Sequence, residues 1–117
     1  MSGYGALRVL VVEDEPVVAM CLEDILAGLG CETVGPVGRL ADGLALAESE
    51  TLGAAILDIN LGGERSTPIA EALRLRGVPF VFASGYGTLP EGFETLPLIE
   101  KPYRERDIDA ALKALLR

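Results

Sequence analysis

A chain of 117 residues with a half-hydrophobic composition suits one globular domain with a core of its own. Its formal charge is −8, and all of the excess lies in residues 1–58, which carry 2 basic and 10 acidic side chains against 8 and 8 in residues 59–117. That balance repels a phosphate backbone and argues against nucleic-acid binding, while the absence of histidine excludes Ser-His-Asp or Cys-His nucleophilic machinery, His-ligated zinc and a phosphohistidine on this chain.

Short apolar runs alternate with longer segments of helical period. Leu7 to Val12 is β-branched and almost wholly apolar, which predicts a strand covered on both faces. Pro16 suits the first turn of a helix whose apolar stripe is Val18, Cys21, Leu22, Ile25, Leu26 and Leu29, stopped by Gly30. Cys31 to Gly35 reads as a second strand and Arg39 to Glu50 as a second helix. Ala54 to Asp58 is the third strand, followed by a helix opened by Pro68 with Ala72, Leu73 and Leu75 inside. Pro79 to Ser84 and Pro97 to Glu100 are the fourth and fifth strands, and Asp107 to Arg117 the last helix. Leu89-Pro90-Glu91-Gly92-Phe93 is a poor helix, so the fourth helix of this pattern is expected to be short or missing. Strands alternating with helices predict an α/β fold, a parallel sheet wrapped on both sides, because parallel strands need crossover connections. Cys21 and Cys31 are too few for a disulfide framework and read as buried, reduced thiols. The longest uncharged run, Gly77 to Pro90, is interrupted by Pro79, Gly85 and Gly87, which gives no membrane span. The first residues have no apolar signal core, so the expected location is the cytoplasm.

In such sheets ligands bind beyond the carboxyl ends of the strands. Here the first strand ends in Glu13-Asp14-Glu15, the third in Asp58, the fourth in Ser84 and the fifth in Glu100-Lys101-Pro102. Glu13, Asp14 and Asp58 would converge on one rim, where like charges about 4 Å apart repel by roughly 4 kcal/mol per pair at an effective dielectric near 20. Lys101 alone is too little cation to offset three carboxylates, and hard oxygen donors select Mg²⁺. Asp58 is then placed as a carboxylate nucleophile toward phosphorus, with Lys101 and the metal neutralising the transferring group, Ser84 donating a hydrogen bond and the Asn60 carbonyl reaching the metal. Without histidine, the phosphoryl donor must be another molecule. Asp58-Ile-Asn-Leu-Gly-Gly opens like a calcium loop, but Ile69 stands where the bidentate Glu is needed.

Four motifs in order, Val11-Val12-Glu13-Asp14-Glu15-Pro16, Leu57-Asp58-Ile59-Asn60-Leu61, Phe82-Ala83-Ser84-Gly85 and Lys101-Pro102, resemble the receiver domain of bacterial two-component response regulators. The run from Pro79 to Gly87 is further similar to the subgroup nicknamed for its Phe-Ala-Thr-Gly-Tyr motif, with Ser84 in place of Thr. The resemblance implies a CheY-like, flavodoxin-like strand order 2-1-3-4-5, with residues 1–6 a tail and 7–117 the receiver domain. It implies phosphorylation on Asp58, Mg²⁺ held by Asp14, Asp58 and the Asn60 carbonyl, Glu13 assisting through water, and a cis bond before Pro102. Implied partners are a sensor histidine kinase or histidine phosphotransfer protein and a downstream protein target; neither nucleic acid nor membrane is expected. The chain would catalyse only its own phosphorylation and dephosphorylation, as a single-domain regulator without an output domain. Two other readings stand beside it: a pseudo-receiver that binds partners without phosphorylation, and a phosphate sink. An aspartate-nucleophile phosphatase does not fit, because its nucleophile lies on the first strand with a second Asp two residues on. Two departures concern the site and its surroundings. Glu13 stands where many members have Asp, and Leu98 where an aromatic switch residue is common, a part that Tyr86 could take.

Overall fold

The computed structural model describes residues 4–85 and 89–116 of the chain. Its elements follow one another as β1 (Arg8–Val12), α1 (Pro16–Gly28), β2 (Glu32–Val37), α2 (Leu40–Ser49), β3 (Ala54–Asp58), β4 (Asn60–Leu61), β5 (Glu64–Arg65), α3 (Thr67–Leu75), β6 (Phe80–Ser84), β7 (Leu98–Glu100) and α4 (Glu105–Leu115). Five strands form a parallel sheet in the order β2-β1-β3-β6-β7, while β4 and β5 pair antiparallel on their own. With β6 and β7 as the expected fourth and fifth strands, this is the doubly wound order 2-1-3-4-5. The β4–β5 hairpin was not expected, because two residues per strand carry no periodic signal.

Period-2 alternation divides the central strands between two cores. Leu10, Val12, Ala55, Leu57, Phe80 and Phe82 point to one side, where Ala47 of α2 and Ile69, Ala70 and Leu73 of α3 cover them. Val9, Val11, Ala54, Ile56, Val81 and Ala83 point to the other, under Leu22 and Leu26 of α1 and Ile108 and Leu112 of α4. Continuous apolar runs are what a strand buried on both faces requires, and β3 and β6 are buried at every position. Pro16 opens α1 as predicted, and Gly30 ends its turn at φ +83°, where a Cβ would be strained.

β2 runs to Val37 instead of stopping at Gly35, with a one-residue irregularity opposite Val11. Gly35 sits there at φ +95°, and a Cβ on it would lie 3.1 Å from the Val11 carbonyl oxygen. Both facts require glycine. The peptide bonds before Pro36 and Pro102 are cis, the second as the resemblance implied.

Two side-chain expectations fail. Cys21 is exposed, and only Cys31 is buried. Leu75 is exposed as well, because it lies about 200° around the helix from the buried Leu73.

Between β6 and β7 the described residues form turns and no helix, closed by Phe93 N–H to the Pro90 carbonyl and Leu96 N–H to the Phe93 carbonyl. Tyr86 lies outside the described residues. Phe93 covers the core in the place of a helix face. Its ring packs edge-on against Phe82 at 5.4 Å and Phe80 at 6.1 Å between centroids, and the Arg74 guanidinium stacks 4.3 Å above it. Removal of that ring exposes Phe80 and Phe82 together. Phe93→Ala should cost about 3 kcal/mol in urea unfolding, within the range for buried phenylalanines; a loss under about 1 kcal/mol would mean the segment contributes little to the core.

Candidate functional site

Strand register builds the site before any side chain does. Val12 pairs with Leu57 and Asp58 with Ala83, so Glu13 emerges level with Asp58 at the carboxyl edge. Ser84 pairs with Glu100, and the Lys101 N–H donates to the Ser84 carbonyl at 3.2 Å, which delivers the lysine beside them. The Glu13 N–H donates to the Val37 carbonyl, and Gly38 packs so closely that a Cβ on it would lie 3.0 Å from the Asp14 Cα.

Lys101 Nζ is the centre of the polar cluster. It lies 2.8 Å from Glu13 Oε1, 3.0 Å from Asp58 Oδ2 and 3.8 Å from Glu15 Oε1. Glu13 is 3 % exposed and Asp58 7 %, so both pairs are largely withdrawn from water. Tyr103 donates its phenol O–H to Glu13 Oε1 at 3.2 Å, and the Glu15 N–H donates to Glu13 Oε2 at 3.2 Å. The Gly62 N–H donates to Asp14 Oδ2 at 2.9 Å, tying the loop after β4 to the acidic segment. A cavity of about 440 Å³ opens between these groups, lined by Asp14, Glu15, Asp58, Asn60, Gly62, Ser84, Gly85 and Lys101.

Crowding shows in the ionisation of the cluster. Burial pushes the Asp58 carboxyl up to about 7; the Lys101 hydrogen bond pulls it down, and the neighbouring Glu13 charge raises it again. Burial works to lower the Lys101 ammonium, but its hydrogen bonds to Glu13 and Asp58 outweigh it and hold the group above its ordinary value. The Tyr103 phenol is raised by burial and by the Glu13 and Asp58 charges, and therefore stays a hydrogen-bond donor. One carboxylate oxygen each from Glu13, Asp14 and Asp58 lies within 4.8 Å of the others. An all-oxygen donor set with more negative charge than one ammonium can balance fits a small, hard divalent cation.

The sequence-predicted residues thus gather where expected. Asp14, Asp58, Asn60, Ser84 and Lys101 all line the cavity, whereas Glu13 does not and meets it through Lys101 Nζ at 2.8 Å. Sequence reasoning missed Tyr103 and the Gly62 N–H. Tyr103 belongs to none of the four motifs, and only its position two residues beyond Lys101 could have signalled a polar role.

A cleft of this composition at the carboxyl edge of a doubly wound sheet is the arrangement of a receiver domain. The family model described as the response regulator receiver domain matches residues 9–113, and the chain belongs to that family. It is similar to SdrG from Sphingomonas melonis Fr1, whose solution structure superposes with a TM-score of 0.87 at 46% identity over 100% of both chains. A BeF3-activated conformation of SdrG matches with a TM-score of 0.81 at 46% identity, covering 97% of this chain and 98% of that one. The phyllosphere-induced regulator PhyR of Methylorubrum extorquens is 31% identical over 95% of this chain and 44% of its own length. The chain therefore spans about half the length of the curated relatives it matches. No helix among the described residues is long and apolar enough to cross a membrane.

The raised Asp58 carboxyl makes stability pH-dependent. An unfolded aspartate titrates near about 3.9. Between that value and the folded value of about 7 the native state binds more protons than the unfolded state, so stability falls as pH rises through this window and levels off above it. In metal-free buffer, Asp58→Asn should flatten that slope and raise the unfolding free energy measured in urea near about pH 8 by on the order of 1 kcal/mol. An unchanged slope in the variant would assign the dependence to another group.

Proposed function

We propose that the chain is a phosphorylation switch that accepts a phosphoryl group on Asp58 from a histidine kinase or a histidine phosphotransfer protein. The observation that carries this reading is the Lys101 ammonium, 3.0 Å from Asp58 Oδ2 in a cleft that Ser84 also lines. An Asp58 oxygen attacks phosphorus, the bond from phosphorus to the donor's imidazole nitrogen breaks, and the imidazole leaves with its electron pair. Lys101, already beside the nucleophile, shifts its hydrogen bonds toward the oxygens of the arriving group. The Ser84 hydroxyl donates to another of them, drawing the end of β6 inward. Asp14, Asp58 and the Asn60 carbonyl would hold Mg²⁺, which supplies charge neutralisation on the transferring phosphoryl when bound.

Ser84, Phe82 and Phe80 occupy alternate positions of β6, and Phe93 packs on the last two, so movement at Ser84 has a packed route into the segment before β7. The BeF3-activated conformation described for SdrG supports a switch of this kind. The protein processes no external substrate and acts through contact with a downstream protein in the cytoplasm. An intact set of Asp14, Asp58 and Lys101 sets this reading above that of a pseudo-receiver.

The donor docks beside the cleft. A groove of about 340 Å³ runs from Glu13 and Asp14 to Pro16, Ala19 and Met20, and on the same helix Val17 is 78 % and Met20 63 % exposed. Apolar side chains held out of the core next to the acceptor suit a helical, histidine-bearing donor.

Incubation with acetyl phosphate and Mg²⁺ should add one acid-stable, base-labile phosphoryl group by mass, and none to Asp58→Asn; equal labelling of the variant would reject the acceptor. Lys101→Ala should still bind Mg²⁺ yet give no conformational response to beryllofluoride by NMR. Met20→Glu should slow transfer from a cognate histidine donor about tenfold while leaving labelling by acetyl phosphate unchanged. A parallel loss in both reactions would place Met20 in the acceptor chemistry and not in docking.

A further inference from the structure

We propose that Tyr103 is a positioning residue of the phosphoacceptor site: its phenol pins the Glu13 carboxylate, and through it aims Lys101 at Asp58. The inference rests on the acceptor reading above and deepens it.

The ring is held independently of the polar cluster. Tyr103 is buried in the core shared by α1, α4 and the sheet, among Val11, Ala83 and Ile108. Only its hydroxyl reaches the site, donating to Glu13 Oε1 at 3.2 Å. A carboxylate oxygen can only accept, so the direction of that bond is set.

Glu13 has both oxygens engaged. Oε1 receives Lys101 Nζ at 2.8 Å as well as the phenol, and Oε2 receives the Glu15 N–H at 3.2 Å. Three donors from two segments leave the carboxylate one orientation. Glu13 does not line the cavity, yet its Oε1 lies 2.8 Å from Lys101 Nζ, so it serves as the backstop for the ammonium.

The phenol matters most when the lysine turns. Once Lys101 directs its protons to a phosphoryl oxygen, Glu13 Oε1 would lose its charged donor while 97 % of the residue is hidden from water. A buried carboxylate oxygen stripped of its donor is costly. Tyr103 stays in place, so the oxygen keeps a partner and Lys101 is released from Glu13 at lower cost. The two residues come from one short loop, Lys101 to Tyr103, and converge on the same oxygen from it.

Tyr103→Phe removes one hydroxyl and keeps the ring, so the fold is retained. With acetyl phosphate at saturating Mg²⁺, its labelling rate should fall about tenfold and its apparent affinity for beryllofluoride should weaken by a similar factor, the scale typical of residues that orient a site from behind. The same substitution in a Glu13→Ala background should change the rate less than about twofold, because the carboxylate it positions is gone. A merely structural phenol would weaken the unfolding midpoint equally in both backgrounds and leave the rate alone. Labelling of Tyr103→Phe at the wild-type rate, or an equal loss with and without Glu13, overturns the assignment while leaving Asp58 as acceptor. A wild-type protein that takes up neither phosphoryl nor beryllofluoride overturns the acceptor reading, and this inference with it.

Discussion

Glu13, Asp14 and Asp58 present carboxylate oxygens within 4.8 Å of one another, with one lysine among them. Nothing in the local sequence relieves that repulsion, which at such spacing is worth roughly 4 kcal/mol per pair before screening. The crowding follows from sheet register, because β1 and β3 end level and β6 and β7 bring Ser84 and Lys101 to the same edge. It also bears on the proposed chemistry. A carboxyl held up to about 7 by burial, with an ammonium 3.0 Å away, is a strained arrangement that gains from a divalent cation and from a group on which Lys101 can spend its hydrogen bonds.

The rest of the molecule opposes that strain by packing and hydrogen-bonding the backbone around the site. Each of the central strands β1, β3 and β6 has apolar side chains on both faces, so neither core can shift without disturbing the other. Backbone hydrogen bonds then hold the segments that carry the acids and the lysine: Glu13 to Val37, Ile59 to Ala83 and Lys101 to Ser84. Gly38 lets the β2–α2 connection lie against Asp14 where any side chain would push it away. The backbone that bears Glu13, Asp58 and Lys101 is thus tied to neighbouring strands at three places.

Much of this was legible in the sequence, and for one reason. Parallel strands covered on both sides read as apolar runs, so the residue that ends each run marks the ligand edge; Glu13, Asp58, Ser84 and Lys101 stood out on that basis. What stayed hidden lay where the periodic signal is ambiguous or absent. Cys21 and Leu75 border apolar stripes, and a step of about 100° per residue carries them off the buried face. β4 and β5 are too short to have a pattern. Tyr103 looks like packing because most of it is packing; its polar function depends on a single oxygen whose partner lies 90 residues away in sequence.

The described residues 89–97 before β7 show how the fold covers its core without a helix there. A helix there would cover Phe80 and Phe82 with several apolar side chains spread over turns. Here Phe93 does much of that work, fixed by edge-on contacts on one side and by Arg74 on the other, with Leu89, Leu96 and Leu98 packed around the same core. A cover anchored by one large ring is specific about position, since the aromatic contacts and the guanidinium define a single seat. It is also more readily unseated than a helix, whose own hydrogen bonds would survive the loss of one side chain. Because Phe82 lies on the same face of β6 as Ser84 and packs edge-on against Phe93, one strand joins the cleft directly to that ring.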